Sequence, residues 1–133
     1  MALGEYVSVS SQRDSEHALI AKEKRELAEM PEEQFDLWLR NAELPRLTPA
    51  TIVSARKMKS VVKEVRKNGW AASNEEFAPG VVGCAVPIRR PDGSLIAGLG
   101  ISVPSARASF DEVKSHVPLL QRAAREIGDA SME

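Results

Sequence analysis

Apolar residues repeat with a helical period through the first half of the chain and with a strand period after Gly69. From about Asp14 to Met30, in DSEHALIAKEKRELAEM, Ala18, Leu19, Ala21, Leu27 and Ala28 trace a thin apolar stripe on a helix otherwise made of charge. Lys22 with Glu26, and Arg25 with Glu29, are one turn apart, as suits a solvated helix that docks weakly. Pro31 opens a second helix, PEEQFDLWLRNA, with Glu32 and Glu33 at its positive end and Phe35, Trp38, Leu39 and Ala42 on one face. Leu44 to Thr51, with Pro45 and Pro49, predicts a loop. Ser54 then predicts the N-cap of a third helix, on which Met58, Val61, Val62 and Val65 repeat as a core stripe and which Asn68-Gly69 ends.

Beyond Gly69 the apolar stretches shorten to strand length. Trp70 to Ser73 reads as a short strand, 74–80 as an irregular link, and VVGCAVPI (81–88) and LIAGLGISV (95–103) as a hairpin turned within Arg89-Arg90-Pro91-Asp92-Gly93-Ser94. Gly83, Gly98 and Gly100 interrupt it, and glycine inside a strand marks close approach to the backbone. Ser109 and Glu112 form a capping box for the last helix, whose buried face is expected at Val113, Val117, Leu120, Ala124 and Ile127. Pro118 should kink that helix or restart it, and the tail from Gly128 is expected to fray. The order predicts an α+β domain: a small antiparallel sheet with helices packed on it and an extra N-terminal helix.

Composition narrows the function classes. The 133 residues suffice for one domain with its own core. The chain has 18 Lys+Arg and 19 Asp+Glu, for a net charge of -1. Binding nucleic acid by charge alone is disfavoured on that balance. A single cysteine, Cys84, rules out an internal disulfide and a thiolate zinc site, and suits a reducing compartment. No apolar run nears the roughly 20 residues of a membrane-spanning helix, and Met1-Ala-Leu-Gly-Glu-Tyr lacks a secretory signal's basic and apolar regions. A cytoplasmic protein is expected.

Few residues point to chemistry. His17 and His116 lie far apart in the sequence and make no metal pair. No phosphate-loop spacing occurs. Cys84 has no basic neighbour in sequence to activate it and reads as a small buried hydrophobe rather than a nucleophile. Arg56, Lys59, Lys63 and Arg66 line the third helix opposite its apolar stripe, without base-stacking aromatics, and read as a solvated helix back. No enzyme signature and no cofactor follow. The hairpin offers more. Gly83, Cys84 and Ala85 face Gly98, Gly100 and Ser102 across it, with the Ser73 hydroxyl nearby. Two readings stand side by side: a cleft for a small molecule, or tight packing of the sheet against the last helix.

From about Met30 to Ile127 the chain resembles the C-terminal effector-binding domain of IclR-type bacterial transcription regulators. The stretches that carry the resemblance are MPEEQFDLWL, LPRLTPATI, VRKNGWA, SNEEFAPGVVGCAVPIRRPDGSLIAGLGISVPSARAS and LLQRAAREIG. It implies a GAF-like effector-binding domain fragment at 31–133 that senses a small organic acid or aromatic metabolite, forms homo-oligomers and leaves DNA contact to a winged helix-turn-helix lying outside this chain. It also implies effector-binding positions at Ser73, Gly83, Gly100 and Ser102, with Cys84 adjacent. Glycine at 83 and 100, where bulkier or more polar groups are common in the family, implies a larger or different ligand.

The first ~33 residues, with GEYVSVSSQRDSE, resemble instead the vacuolar iron transporter (CCC1-like) family. That second resemblance implies a helical remnant at 1–30, with Glu23 and Glu26 as candidate metal ligands. The family's next acidic pair falls on Gln34 and Leu37, and without membrane helices the polypeptide itself cannot transport.

Overall fold

The computed structural model of the chain describes residues 6–10 and 21–131. The expected start of the first helix at 14–20, His17 included, lies outside them. In chain order the elements are β1 (Tyr6–Ser10), α1 (Ala21–Glu29), α2 (Glu32–Asn41), α3 (Ala55–Asn68), β2 (Ala71–Asn74), β3 (Val81–Arg89), β4 (Leu95–Pro104), α4 (Phe110–Lys114) and α5 (Val117–Ala130). The strands make one four-stranded antiparallel sheet in the order β1-β4-β3-β2.

Local signals explain most of this. The Ser54 hydroxyl accepts from the Lys57 amide, and Gly69, at φ 79, donates its N–H to the Val65 carbonyl to close α3. The Ser109–Glu112 capping box is formed at α4. Pro118 restarts rather than kinks the chain, lying in the first turn of α5, where a missing backbone donor costs nothing. At the hairpin, Gly93 takes φ 90 and the Asp92 carboxylate accepts from both the amide and the hydroxyl of Ser94.

Helices cover both faces of the sheet. On one, Val82, Cys84, Val86, Ile88, Ala97, Leu99 and Val103 pack with Val113, Val117, Leu120 and Ala124 of α4 and α5. On the other, Ala71 and Ala85 pack with Ala21 of α1 and Val65 of α3. Behind that layer Leu27, Phe35, Ile52, Met58 and Val62 close a second core among α1, α2 and α3. The division expected at residue 30 therefore does not fall at a break in the packing: β1 is a strand of the sheet, and α1 touches α3, β2, β3 and β4.

Three expectations are corrected here. The N-terminal stretch supplies a strand at Tyr6–Ser10, one that pairs along β4 from Gly98 to Ser102. The helix expected to be solvated is enclosed: Glu23, Lys24, Arg25 and Glu26 are only 2–3% exposed. Successive helical residues turn by about 100°, so four consecutive buried positions mean that α1 is covered all round. Third, α5 does not fray at Gly128, and the buried position there is Gly128 rather than Ile127, which is 41% exposed. Gly128 lies so close to β3 that a Cβ would overlap the Arg89 carbonyl oxygen.

Gly128→Ala is a discriminating substitution. Helix propensity alone favours alanine by about 1 kcal/mol, whereas overpacking costs about 1–3 kcal/mol or more. The contact with Arg89 decides the sign, and urea denaturation should show the variant to be less stable than wild type.

Candidate functional site

In an antiparallel sheet, residues directly opposite each other share a face, and so do residues two apart on one strand. Ser73 is the register partner of Gly83, and Gly83 of Ser102. One row of the sheet thus reads Ser73–Gly83–Ser102 across β2, β3 and β4. The next row reads Ala71–Ala85–Gly100, and beyond it Pro87 pairs with Gly98. Four of the five expected site residues, Ser73, Gly83, Gly100 and Ser102, stand together on this small-residue face. The backbone of β1 continues both rows, with Tyr6 opposite Ser102 and Ser8 opposite Gly100.

Cys84 does not join them. It pairs with Ala72 and Ile101, which alternation puts on the opposite face. There it is fully buried in the α4–α5 core, with Sγ 3.6 Å from the Val113 carbonyl oxygen. Burial pushes the thiol pKa up to about 11, the opposite of what a nucleophile needs.

The small-residue face is covered by α1 rather than by the last helix. Glycine makes room for this: a Cβ at Gly98 would stand 2.6 Å from Arg25 Nε and 2.7 Å from Nη2, so the guanidinium lies directly on the strand. A Cβ at Gly83 would be 2.7 Å from the Ile101 carbonyl oxygen, and the atoms nearest one at Gly100 are the Cys84 carbonyl oxygen at 3.3 Å and Ala85 Cβ at 3.4 Å. Ser73 is buried and Ser102 half-buried. The strands present backbone, hydroxyls and small side chains on this face, and α1 lays the Arg25 guanidinium on it.

Charge borders this row. Lys24, buried in α1, donates to the Ala72 carbonyl at 2.9 Å and pairs with Glu76. Glu76 also accepts from the Asn74 amide at 3.0 Å. Burial lowers the Lys24 pKa, and the Glu76 carboxylate opposes that shift. The loop carrying Glu76 is pinned by two threonines: Thr48 Oγ1 donates to the Glu75 carbonyl at 2.6 Å, and Thr51 Oγ1 to the Glu76 carbonyl at 2.7 Å. Glu75, at φ 56, accepts from the Gly80 amide through its side chain. Sequence reasoning missed Lys24, Thr48, Thr51 and Glu76; the stretch LTPATI did carry a signal, two hydroxyls in a proline-bounded loop.

Glu23 and Glu26 are buried on α1, and Arg25 Nη2 lies 3.5 Å from Glu26 Oε1, where its positive charge opposes a bound cation. Among the described residues no three His, Cys, Asp or Glu side chains gather to hold a metal. Within the same residues, no helix is long and apolar enough to cross a membrane.

Comparison with known proteins bears on the fold and the family. The chain is similar to the crystal structure of the C-terminal domain of the E. coli transcriptional regulator KdgR, with a TM-score of 0.79 and 28% identity over 93% of this chain and 85% of that one. It is likewise similar to the inducer-binding domain of the PobR transcription factor from Acinetobacter, solved as a double mutant in complex with 3-hydroxybenzoic acid, at a TM-score of 0.79 and 28% identity over 84% of this chain and 65% of that one. The fold is that of an α+β ligand-binding domain from bacterial transcription regulators. Residues 3–129 match the family described as bacterial transcriptional regulator IclR C-terminal, and the chain belongs to that family. The match runs through the stretch that resembles an iron transporter, so the family includes β1 and α1. Among curated relatives, the HTH-type transcriptional regulator KdgR of Escherichia coli is 38% identical over 89 residues, 67% of this chain and 34% of the relative. The Pca operon regulatory protein of Acinetobacter baylyi is 35% identical over 91 residues, 68% of this chain and 33% of the relative. The chain thus spans about a third of the length of these relatives.

Two outcomes test the electrostatics. Glu76→Gln leaves Lys24 buried without its counter-charge and should cost about 3 kcal/mol in urea denaturation, while adding Lys24→Met should restore much of the loss. For Cys84, an unfolded thiol ionises near pH 8.5 and the native one near 11. The unfolded state therefore sheds its proton first. The thiol's contribution is whole below about pH 8.5 and is lost as pH rises toward 11. At pH 8 a thiol reagent should label the native protein only as fast as it opens, and label it at once in urea.

Proposed function

We propose that the chain senses a small organic acid or aromatic acid at the Ser73–Gly83–Ser102 row, as the effector-binding part of an IclR-type regulator. The row itself carries the reading. It places two hydroxyls on either side of a glycine, with Gly100 in the next row. Hydroxyls orient a carboxylate or phenol, and small side chains let its ring or carbon skeleton lie close to the strands. Lys24 contributes positive potential from the neighbouring row, tempered by Glu76. Support comes also from the PobR inducer-binding domain, whose structure carries a hydroxybenzoic acid. Cys84 has no place in this site, because it faces the other core.

The wider role follows the same reading. The domain works as a homo-oligomer in the cytoplasm. Its ligand acts by favouring one subunit arrangement over another, and a helix-turn-helix in another domain makes the DNA contact. No catalysis and no cofactor are involved.

Calorimetric titration of the full chain with hydroxybenzoates and with 2-keto acids tests the site. At least one acid should bind. Ser73→Ala and Ser102→Ala should each weaken it about tenfold, the worth of one charge-assisted hydrogen bond. Cys84→Ala should leave the affinity unchanged. Binding that survives both serine substitutions, or that depends on Cys84, would refute the assignment.

A further inference from the structure

A cavity opens where α1, α3 and β3 meet. Its volume is about 210 Å³, and Arg25, Arg66, Arg89 and Glu29 are the charged residues in its wall. The arginines are differently committed. Arg66 donates from Nε to the Ala28 carbonyl at 3.2 Å and from Nη2 to the Met30 carbonyl at 3.0 Å, so it is held at the C-terminal end of α1. Arg89 donates from Nη2 to Glu29 Oε2 at 2.5 Å and from Nη1 to the Gly93 carbonyl at 3.3 Å. Arg25 is 2% exposed, and among the described residues its Nε and Nη1 meet no hydrogen-bond partner. Its contact with Glu26, at 3.5 Å from Nη2, is an ion pair on the third nitrogen only.

A buried guanidinium with two unused nitrogens is costly unless an anion meets it. Here it stands in a wall with two more guanidiniums and one carboxylate, on a chain whose net charge is -1. The guanidiniums are gathered on one concave wall, with Glu26 and Glu23 also acting on Arg25. A neighbouring cavity of about 270 Å³ shares Gly69, Pro87 and Arg89 with it and adds Arg125 and Gln121. Gly69, in the left-handed conformation, lines both, and apart from its chain neighbours no atom of the described residues lies within 4 Å of where a Cβ would stand.

We propose that this arginine-lined cleft binds a compact, multiply charged oxyanion of the phosphate class. Planar guanidiniums present paired N–H groups that match phosphate oxygens, and several around one concave site favour a polyanion over a monocarboxylate. The site is distinct from the serine–glycine row. Its Arg25 lies on Gly98, two residues along β4 from Gly100, about 7 Å at the usual strand rise, and Pro87 is about 13 Å along β3 from Gly83. The two sites share the sheet face but no ligand-contacting residue, so neither assignment rests on the other.

The probe is inorganic pyrophosphate, titrated into the full chain and followed by melting temperature and phosphorus NMR line width, with sodium chloride at matched ionic strength as control. Pyrophosphate should raise the melting temperature and broaden its own resonance, and chloride should do neither. Arg89→Gln, on the exposed rim, should weaken binding about tenfold. Arg25→Met, which keeps most of the aliphatic stem, should abolish it. If Arg25→Met fails to fold, Arg89→Gln decides alone. An equal response to chloride, no response, or pyrophosphate binding unchanged in Arg89→Gln would overturn the proposal.

Discussion

The fold depends on how closely α1 can approach the sheet. Four consecutive charged residues of that helix are buried, which is possible only if neighbours surround it. Ala21 meets Ala71 and Ala85 on the sheet side, while Leu27 belongs to the core of α2 and α3. On the facing strands, Ala71, Ser73, Gly83, Ala85, Gly98, Gly100 and Ser102 all have small side chains or none. A valine at Gly98 would displace the Arg25 guanidinium, and with it the seating of the helix. Small residues here are the condition for a helix layer with polar contents.

The two faces of the sheet consequently differ in kind. One is an apolar interior of valine, leucine and isoleucine from β3 and β4 against α4 and α5. Burial of that sort is the main source of stability in a domain this size. The other face holds alanine, glycine, hydroxyls and ion pairs. Charges there gain only what geometry returns against desolvation. Lys24 shows the balance, with burial depressing its pKa and Glu76 opposing the shift.

Legibility in the sequence followed the same division. Where apolar side chains decide, the pattern was sufficient: Phe35 on α2, Met58, Val62 and Val65 on α3, the hairpin, and Val113, Val117, Leu120 and Ala124 all lie where periodicity puts them. Ile127 and Gly128 exchanged roles because close contact with the Arg89 backbone, which pattern does not reveal, selects the residue without a side chain. β1 was missed since YVSVS, though it alternates, sits in a stretch whose second resemblance pointed to a membrane protein. The enclosure of α1 was hidden for a physical reason: charge reads as solvent-facing unless its partners, some 48 or 52 residues away at Ala72 and Glu76, are known. Of the candidate site, Ser73, Gly83, Gly100 and Ser102 fall on one face, and strict alternation along VVGCAVPI already placed Cys84 on the other.

β3 and β4 tie these two environments together. Along β3, Val82, Cys84, Val86 and Ile88 are held in the apolar core, while Gly83, Ala85 and Pro87 alternate toward α1. Packed interiors resist small displacements, so the α4–α5 side fixes the strands and gives the polar side a rigid floor. Above that floor lie α1, bound by a few ion pairs, and the Glu75–Glu76 loop, pinned by Thr48 and Thr51. An anion entering either polar region would change the balance of charges around α1 while leaving the apolar core intact. A layer that encloses paired charges beside its apolar contacts, set on one held by packing alone, is the arrangement in which a small charged ligand can have a large structural effect for its size.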